Sequence, residues 1–190
     1  APATERMLLA CAGELPRGGH VLHVAPLAVR GQGHEDLVRV VLTLPIAEVG
    51  AYLGRLGWQG PWGEVHEILT TLHGDASDVG IQLDLGAGPL PVLGIQFYYA
   101  ARDPRWRPLL DELVDRGVCT PAKRDAVLAW PGRERLTLPG RRWPSELRRE
   151  LELKLVCRAD RGRPLEAKAY LGFGAELALF RGEPAVGGAP

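Results

Sequence analysis

Three pairs of segments in which apolar and polar residues alternate at every second position commit most of this chain to an antiparallel β-sheet. In the first pair, His20 to Arg30 is rich in β-forming residues. Asp36 to Leu44 then sets Val38, Val40, Leu42 and Leu44 against Arg39 and Thr43, and Gly31-Gln32-Gly33 joins the two as a hairpin loop. In the second pair, Val79, Ile81, Leu83 and Leu85 alternate with Gly80, Gln82 and Asp84. After the turn Gly86-Ala87-Gly88-Pro89, Leu93, Ile95, Phe97 and Tyr99 alternate with Gln96 and Tyr98. The third pair sets Leu151, Leu153, Leu155 and Cys157 against Glu152, Lys154 and Arg158, and Leu165, Ala167, Ala169 and Leu171 against Glu166, Lys168 and Tyr170.

Between the pairs the period changes to that of a helix. Pro45 opens a segment with Ile46, Val49, Leu53 and Leu56 on one face and Gly57 in the C-cap position. Pro61 opens a second, with Val65, Ile68, Leu69 and Leu72 as its stripe and His73-Gly74 at its end. Asp103-Pro104 and Thr120-Pro121 each combine a capping residue with a proline suited to the first helical position. They predict helices running to Gly117 and to Trp130-Pro131-Gly132.

The expected order is ββααββααββ: an α+β fold with an antiparallel sheet of about six strands from three hairpins, and helices on one face. Gly57-x-x-x-Pro61 recurs as Gly117-x-x-x-Pro121, an offset of 60 residues that suggests an internal repeat. At 190 residues one core is the natural outcome, so residues 1–181 are read as a single domain and 182–190, rich in Gly and Pro, as a disordered tail.

The 23 basic residues balance 23 acidic ones, which removes the overall field that nucleic acid or an anionic membrane surface would need. Cys11, Cys119 and Cys157 lack CxxC spacing and are odd in number, as expected of reduced thiols in a cytoplasmic protein. No apolar run approaches the roughly 20 residues of a membrane span, and Ala1 to Arg6 carries no signal pattern.

Period two collects Arg39, Thr43, Gln82, Asp84, Gln96, Tyr98, Glu152, Lys154, Arg158, Glu166, Lys168 and Tyr170 on the sheet face opposite the helices. Two readings stand open. In one, this is a solvated face laced with cross-strand Lys/Glu pairs. In the other, the sheet curls and the face becomes a binding wall: Arg39, Lys154, Arg158 and Lys168 hold an anion, Tyr98 and Tyr170 donate to it, and Gln82 and Gln96 position a polar group.

Repeated helix-pair and strand-pair units bearing Gln96-x-Tyr98 and Lys168-x-Tyr170 resemble the aromatic prenyltransferase barrel family. The resemblance implies an enzyme-like module in which Gln96, Tyr98, Lys154, Lys168 and Tyr170 contact an allylic prenyl diphosphate, with Asp84 or Glu166 as general base and no cofactor. That family closes its barrel with more hairpins than the three found here, and a homodimer would supply the missing ones. A second resemblance, carried by residues 117–132 and 165–173, is to uncharacterised bacterial proteins associated with modified-peptide (RiPP) biosynthesis. It implies a noncatalytic peptide-binding or scaffold protein as the alternative, its polar face or an open strand edge taking up a peptide substrate or partner protein.

Other chemistry is less well served. His20, His23 and His34 suggest a metal triad, but strand periodicity sends His20 and His23 to opposite faces, so no metal site is expected. Cys119 precedes a helix start, yet a structural thiol is the plainer reading. Gly31-Gln32-Gly33 and Gly86-Ala87-Gly88 lead into strands and open no helix, unlike phosphate loops. Arg133, Arg135, Arg141, Arg142, Arg148 and Arg149 with Trp143 form a basic stretch that reads as a solvated loop and helix, because Glu134, Glu146 and Glu150 interleave it.

Overall fold

Two glycine-terminated turns show how local chemistry sets the elements. A computed structural model of the chain describes residues 2–27, 36–72, 77–137, 139–140, 144–159 and 165–177. In it, Gly57 and Gly117 adopt φ of 71° and 70°. Each closes a helix with the same pair of hydrogen bonds: Gly57 N–H to Gly54 O and Trp58 N–H to Leu53 O, then Gly117 N–H to Val114 O and Val118 N–H to Leu113 O. Only glycine reaches this left-handed region without a Cβ penalty, and the bonds satisfy carbonyls at the helix end. At the opposite kind of terminus, Thr120 accepts from Lys123 N–H at 3.3 Å with Pro121 first in the helix.

The elements are α1 (Pro2–Gly13), β1 (His20–Pro26), β2 (Val38–Pro45), a 3-10 turn (Ile46–Glu48) running into α2 (Val49–Arg55), α3 (Trp62–Thr71), β3 (Asp78–Leu85), β4 (Pro89–Phe97), α4 (Trp106–Asp115), α5 (Pro121–Ala129), β5 (Gly132–Leu136), β6 (Ser145–Arg158) and β7 (Glu166–Leu177). All described strand pairs are antiparallel, in the order β1-β2-β3-β4-β6, with β5 and β7 also on β6. The sheet thus has seven strands. β6 is its hub: β4 pairs along Leu153–Arg158, β5 along Ser145–Arg149 on the same edge, and β7 along Ser145–Val156 on the opposite edge.

The core lies on one face. Val40, Leu42, Leu44, Ile81, Leu83, Leu93, Ile95, Phe97 and Leu155 are buried in one cluster with Val49, Tyr52 and Leu53 of α2, Val65 and Ile68 of α3, and Leu109, Leu110 and Leu113 of α4. Burial at about 25 cal/mol per Å2 of apolar surface makes this face the main source of stability. No helix among the described residues is long and apolar enough to cross a membrane.

Two elements escape the sequence pattern. Helix α1 buries Cys11 completely and packs Met7 and Leu8 onto the core, and the Tyr52 hydroxyl donates to Cys11 O at 2.9 Å. β5 and the first half of β6 occupy the arginine-rich stretch expected to be loop and helix. There the strands are only partly covered, so burial writes no alternation into the sequence. The expected loop at Gly31–Gly33, Arg30, His34, His73-Gly74, Arg141, Arg142, Trp143 and the tail lie outside the described residues.

Candidate functional site

Register carries the polar side chains across the sheet in rungs. One runs His20, Thr43, Gly80, Gln96, Lys154, Lys168 from β1 to β7, and the next runs His23, Val41, Gln82, Gly94, Val156, Glu166. Directly opposed residues share a face, so the candidates Gln82, Gln96, Lys154, Glu166 and Lys168 lie together, joined by Arg39 opposite Asp84 and Tyr170 opposite Glu152. Arg158 is opposite Val92 on the same side. Tyr98 follows the end of β4, and its hydroxyl reaches back to Gln96.

Two glycines shape the centre. A methyl group at Gly94 would sit 3.0 Å from Lys154 Cδ, and one at Gly80 would sit 2.8 Å from the Tyr98 ring. The missing side chains let the lysine stem and the tyrosine ring lie flat on the sheet. Lys154 therefore spans Gly94 and donates from Nζ to Gln82 Oε1 at 3.0 Å, with the Tyr170 ring 5.2 Å from its ammonium. The Tyr98 hydroxyl donates to Gln96 Oε1 at 2.7 Å, and Gln96 Nε2 donates to Glu152 Oε1 at 3.0 Å. Gln82, Gln96 and Lys154 are buried at 8, 6 and 5% exposure, under the outer tyrosines.

The flanks consist of ion pairs. Arg39 grips Asp84 through two hydrogen bonds of 2.7 Å. Glu166 lies between Lys168 at 2.9 Å and Arg158 at 3.3 Å, and these cations hold its carboxyl below the usual range. Asp84 and Glu166 are thus occupied carboxylates, and Glu166 is a weakened base. The carboxyl that burial pushes upward is Glu152, against the opposing pull of Lys154 and its hydrogen bonds. Sequence periodicity places Glu152 on this face but assigns it no role; its signal is its position between two tyrosine-bearing strands. Burial, with the Glu152 carboxylate nearby, pushes Tyr98 up to about 12, so its hydroxyl remains a donor.

A raised carboxyl pKa has a definite sign. Its stabilising effect is complete below the unfolded glutamate range and is lost as pH rises through the folded value. Glu152→Gln removes that ionisation, so its melting temperature relative to wild type should rise between the unfolded and folded pKa values and hold at neutral pH. Thermal melts from acid to neutral pH check this; a gap independent of pH, or one that moves against the variant as pH rises, contradicts it.

His20 and His23 stand on the same face, contrary to the strict strand period. A bulge between Val21 and His23 inserts one residue, so both oppose polar-face partners, Thr43 and Val41. No group of three His, Cys, Asp or Glu suited to a metal exists among the described residues. Cys11, Cys119 and Cys157 are free thiols, and burial pushes Cys157 up to about 12. Cys119 Sγ donates to Thr120 O at 3.3 Å.

The geometry describes a self-paired polar layer on one side of the sheet and three outer strands, β1, β5 and β7, each with one described strand neighbour. No protein-family model matches the chain, and neither a curated protein nor a solved structure matches it.

Proposed function

We propose that the chain is a noncatalytic peptide-binding module that takes an extended segment onto the outer edge of β7. The observation that carries this reading is the edge itself. β7 runs for 12 residues, pairs with β6 alone among the described strands, and exposes Tyr170, Leu171 and Phe173 at 43, 51 and 67%. A long edge with uncovered apolar side chains is a template for strand addition, in which main-chain hydrogen bonds give affinity and alternate side chains give specificity. The other outer strands are blunter: β1 has seven residues, a bulge and a terminal Pro26, and β5 has five residues. The favoured partner is an extended peptide with apolar residues at alternate positions, in keeping with a precursor peptide held for modification.

An allylic diphosphate on the polar face is less well supported. Arg39, Lys154, Arg158 and Lys168 already engage Asp84, Gln82 and Glu166, so the diphosphate would have to displace those partners. The matching caps at Gly57 and Gly117, 60 residues apart, support reading the strand-pair and helix-pair succession as a duplicated unit.

The test is an NMR titration with a ten-residue peptide of alternating Val and Thr. Shifts and slowed amide exchange should concentrate in β7, and Leu171→Lys/Phe173→Lys should weaken binding roughly tenfold or more. Exposed substitutions of this kind change stability by about 0.5 kcal/mol or less. Binding elsewhere, or binding indifferent to the double substitution, overturns the reading. Saturable dimethylallyl diphosphate binding that Lys168→Ala abolishes would favour the enzyme-like alternative instead.

A further inference from the structure

The hub strand β6 changes partners along one edge, and the change leaves a slot. β4 makes its last rung at Phe97 with Leu153, and β5 makes its first at Gly132 with Arg149. Glu150, Leu151 and Glu152 therefore have no strand partner on that side. Their backbone is partly covered by Trp130, whose Nε1 donates to Glu150 O at 3.2 Å. The opening is a cavity of about 410 Å3 whose walls include Tyr98, Ala100, Arg133, Arg148, Arg149 and Glu150. That volume lies within the roughly 300–1,000 Å3 of small-ligand sites.

Three arginines face one glutamate in that wall. They are not all neutralised. Arg133 reaches Glu146 at 3.1 Å, and Arg148 reaches Glu176 at 2.9 Å. Among the described residues no carboxylate lies within ion-pair distance of Arg149, whose guanidinium stands 5.9 Å over the Trp130 ring and beside Gly132, which has no side chain to cover it. Arg148 lies on the opposite face of β6 and is paired there, with Glu176 at 2.9 Å and Glu150 at 3.6 Å, which leaves Arg149 as the cation the slot has to offer.

We propose that this slot between the ends of β4 and β5 binds a small oxyanion, the phosphate or carboxylate of a compact ligand, through Arg149, with the Tyr98 side of the slot receiving the rest of the molecule. A planar guanidinium fork matches such a group in a two-pronged manner, and Arg149 sits on a strand, which limits its freedom. The site stands apart from the outer edge of β7, since β4 and β5 flank the opposite edge of β6.

The test titrates 15N-labelled full chain with inorganic phosphate and, separately, with acetate at constant ionic strength. Saturating shifts confined to residues 98–101, 132–133 and 148–151 are expected. Arg149→Gln should weaken the interaction roughly tenfold, while Arg107→Gln, on the exposed side of α4, should leave it unchanged. Response to phosphate alone assigns a phosphate-bearing ligand; response to acetate alone, or to both, assigns a carboxylate or a general oxyanion. Shifts spread over all basic residues, no saturation with either anion, or equal loss in both variants overturns the proposal. Wild-type mapping decides the matter even where a variant folds poorly, and peptide binding at β7 is scored separately by β7 amides.

Discussion

Phe97→Ala is expected to cost about 3–5 kcal/mol of folding stability, the usual range for truncating a fully buried phenylalanine. Phe97 is the last residue of β4, is 0% exposed and lies opposite Leu153. Its ring meets Tyr99 edge-on at 6.0 Å, and Tyr99 meets Trp106 of α4 edge-on at 4.9 Å. The three rings tie the central sheet to the helix layer, and such pairs add about 0.5–1.5 kcal/mol beyond the area they bury. Alanine would leave a cavity at a point held on one side by strand pairing and on the other by helix packing, where collapse is difficult. The melting temperature should fall by roughly 10 °C for a chain of this size. Phe97→Leu, which keeps most of the volume, should lose about half as much or less. Urea unfolding followed by tryptophan fluorescence measures both, and a loss for Phe97→Ala below about 1 kcal/mol would show that the rings are not coupled to the core in this way.

How much of this was legible in the sequence follows from where the two faces of a strand meet different surroundings. β2, β3, β4 and the second half of β6 turn apolar side chains to the helices and mostly polar or small ones to the other face, so alternation appeared at Val38–Leu44, Val79–Leu85, Leu93–Phe97 and Leu151–Cys157, interrupted at Val41 and Val156. The glycine caps were legible for a different reason: Gly57 and Gly117 stand where the backbone turns left-handed. β5 was not legible because Arg133, Glu134 and Arg135 are all exposed, which leaves no face to be selected. α1 was not legible because it buries only a narrow stripe around Cys11, too few positions to establish a period.

For the candidate site, period two located the face and its residues but not their pairing. That Arg39 would hold Asp84 while Lys154 would reach past its direct neighbour to Gln82 depends on register and on the bare backbone at Gly94, neither of which a single sequence displays. The bulge that turns His20 and His23 to one side is likewise invisible to a period count. The slot beside Arg149 arises from β4 and β5 meeting the same strand end to end, a property of topology alone.

Gln82→Leu should be the most damaging single substitution on the polar face, at about 2–4 kcal/mol, because it takes the acceptor away from an ammonium group that is nearly inaccessible to water. Lys154→Met should cost less, about 1–2 kcal/mol, since it leaves only a neutral amide unpaired. The double variant Gln82→Leu/Lys154→Met replaces both partners with apolar groups beside Val41 and Val156, which are already buried on this face, and should lie within about 1 kcal/mol of wild type. The cycle thus predicts strong coupling, readable by chemical denaturation; additive losses would mean that Lys154 is held chiefly by Tyr170 and Glu152. The same variant separates the functional readings. If the polar layer is architecture and the peptide adds to β7, the stable double variant keeps peptide binding. If Lys154 instead holds a diphosphate, the variant folds and loses that ligand, and the module must be reassigned as enzyme-like.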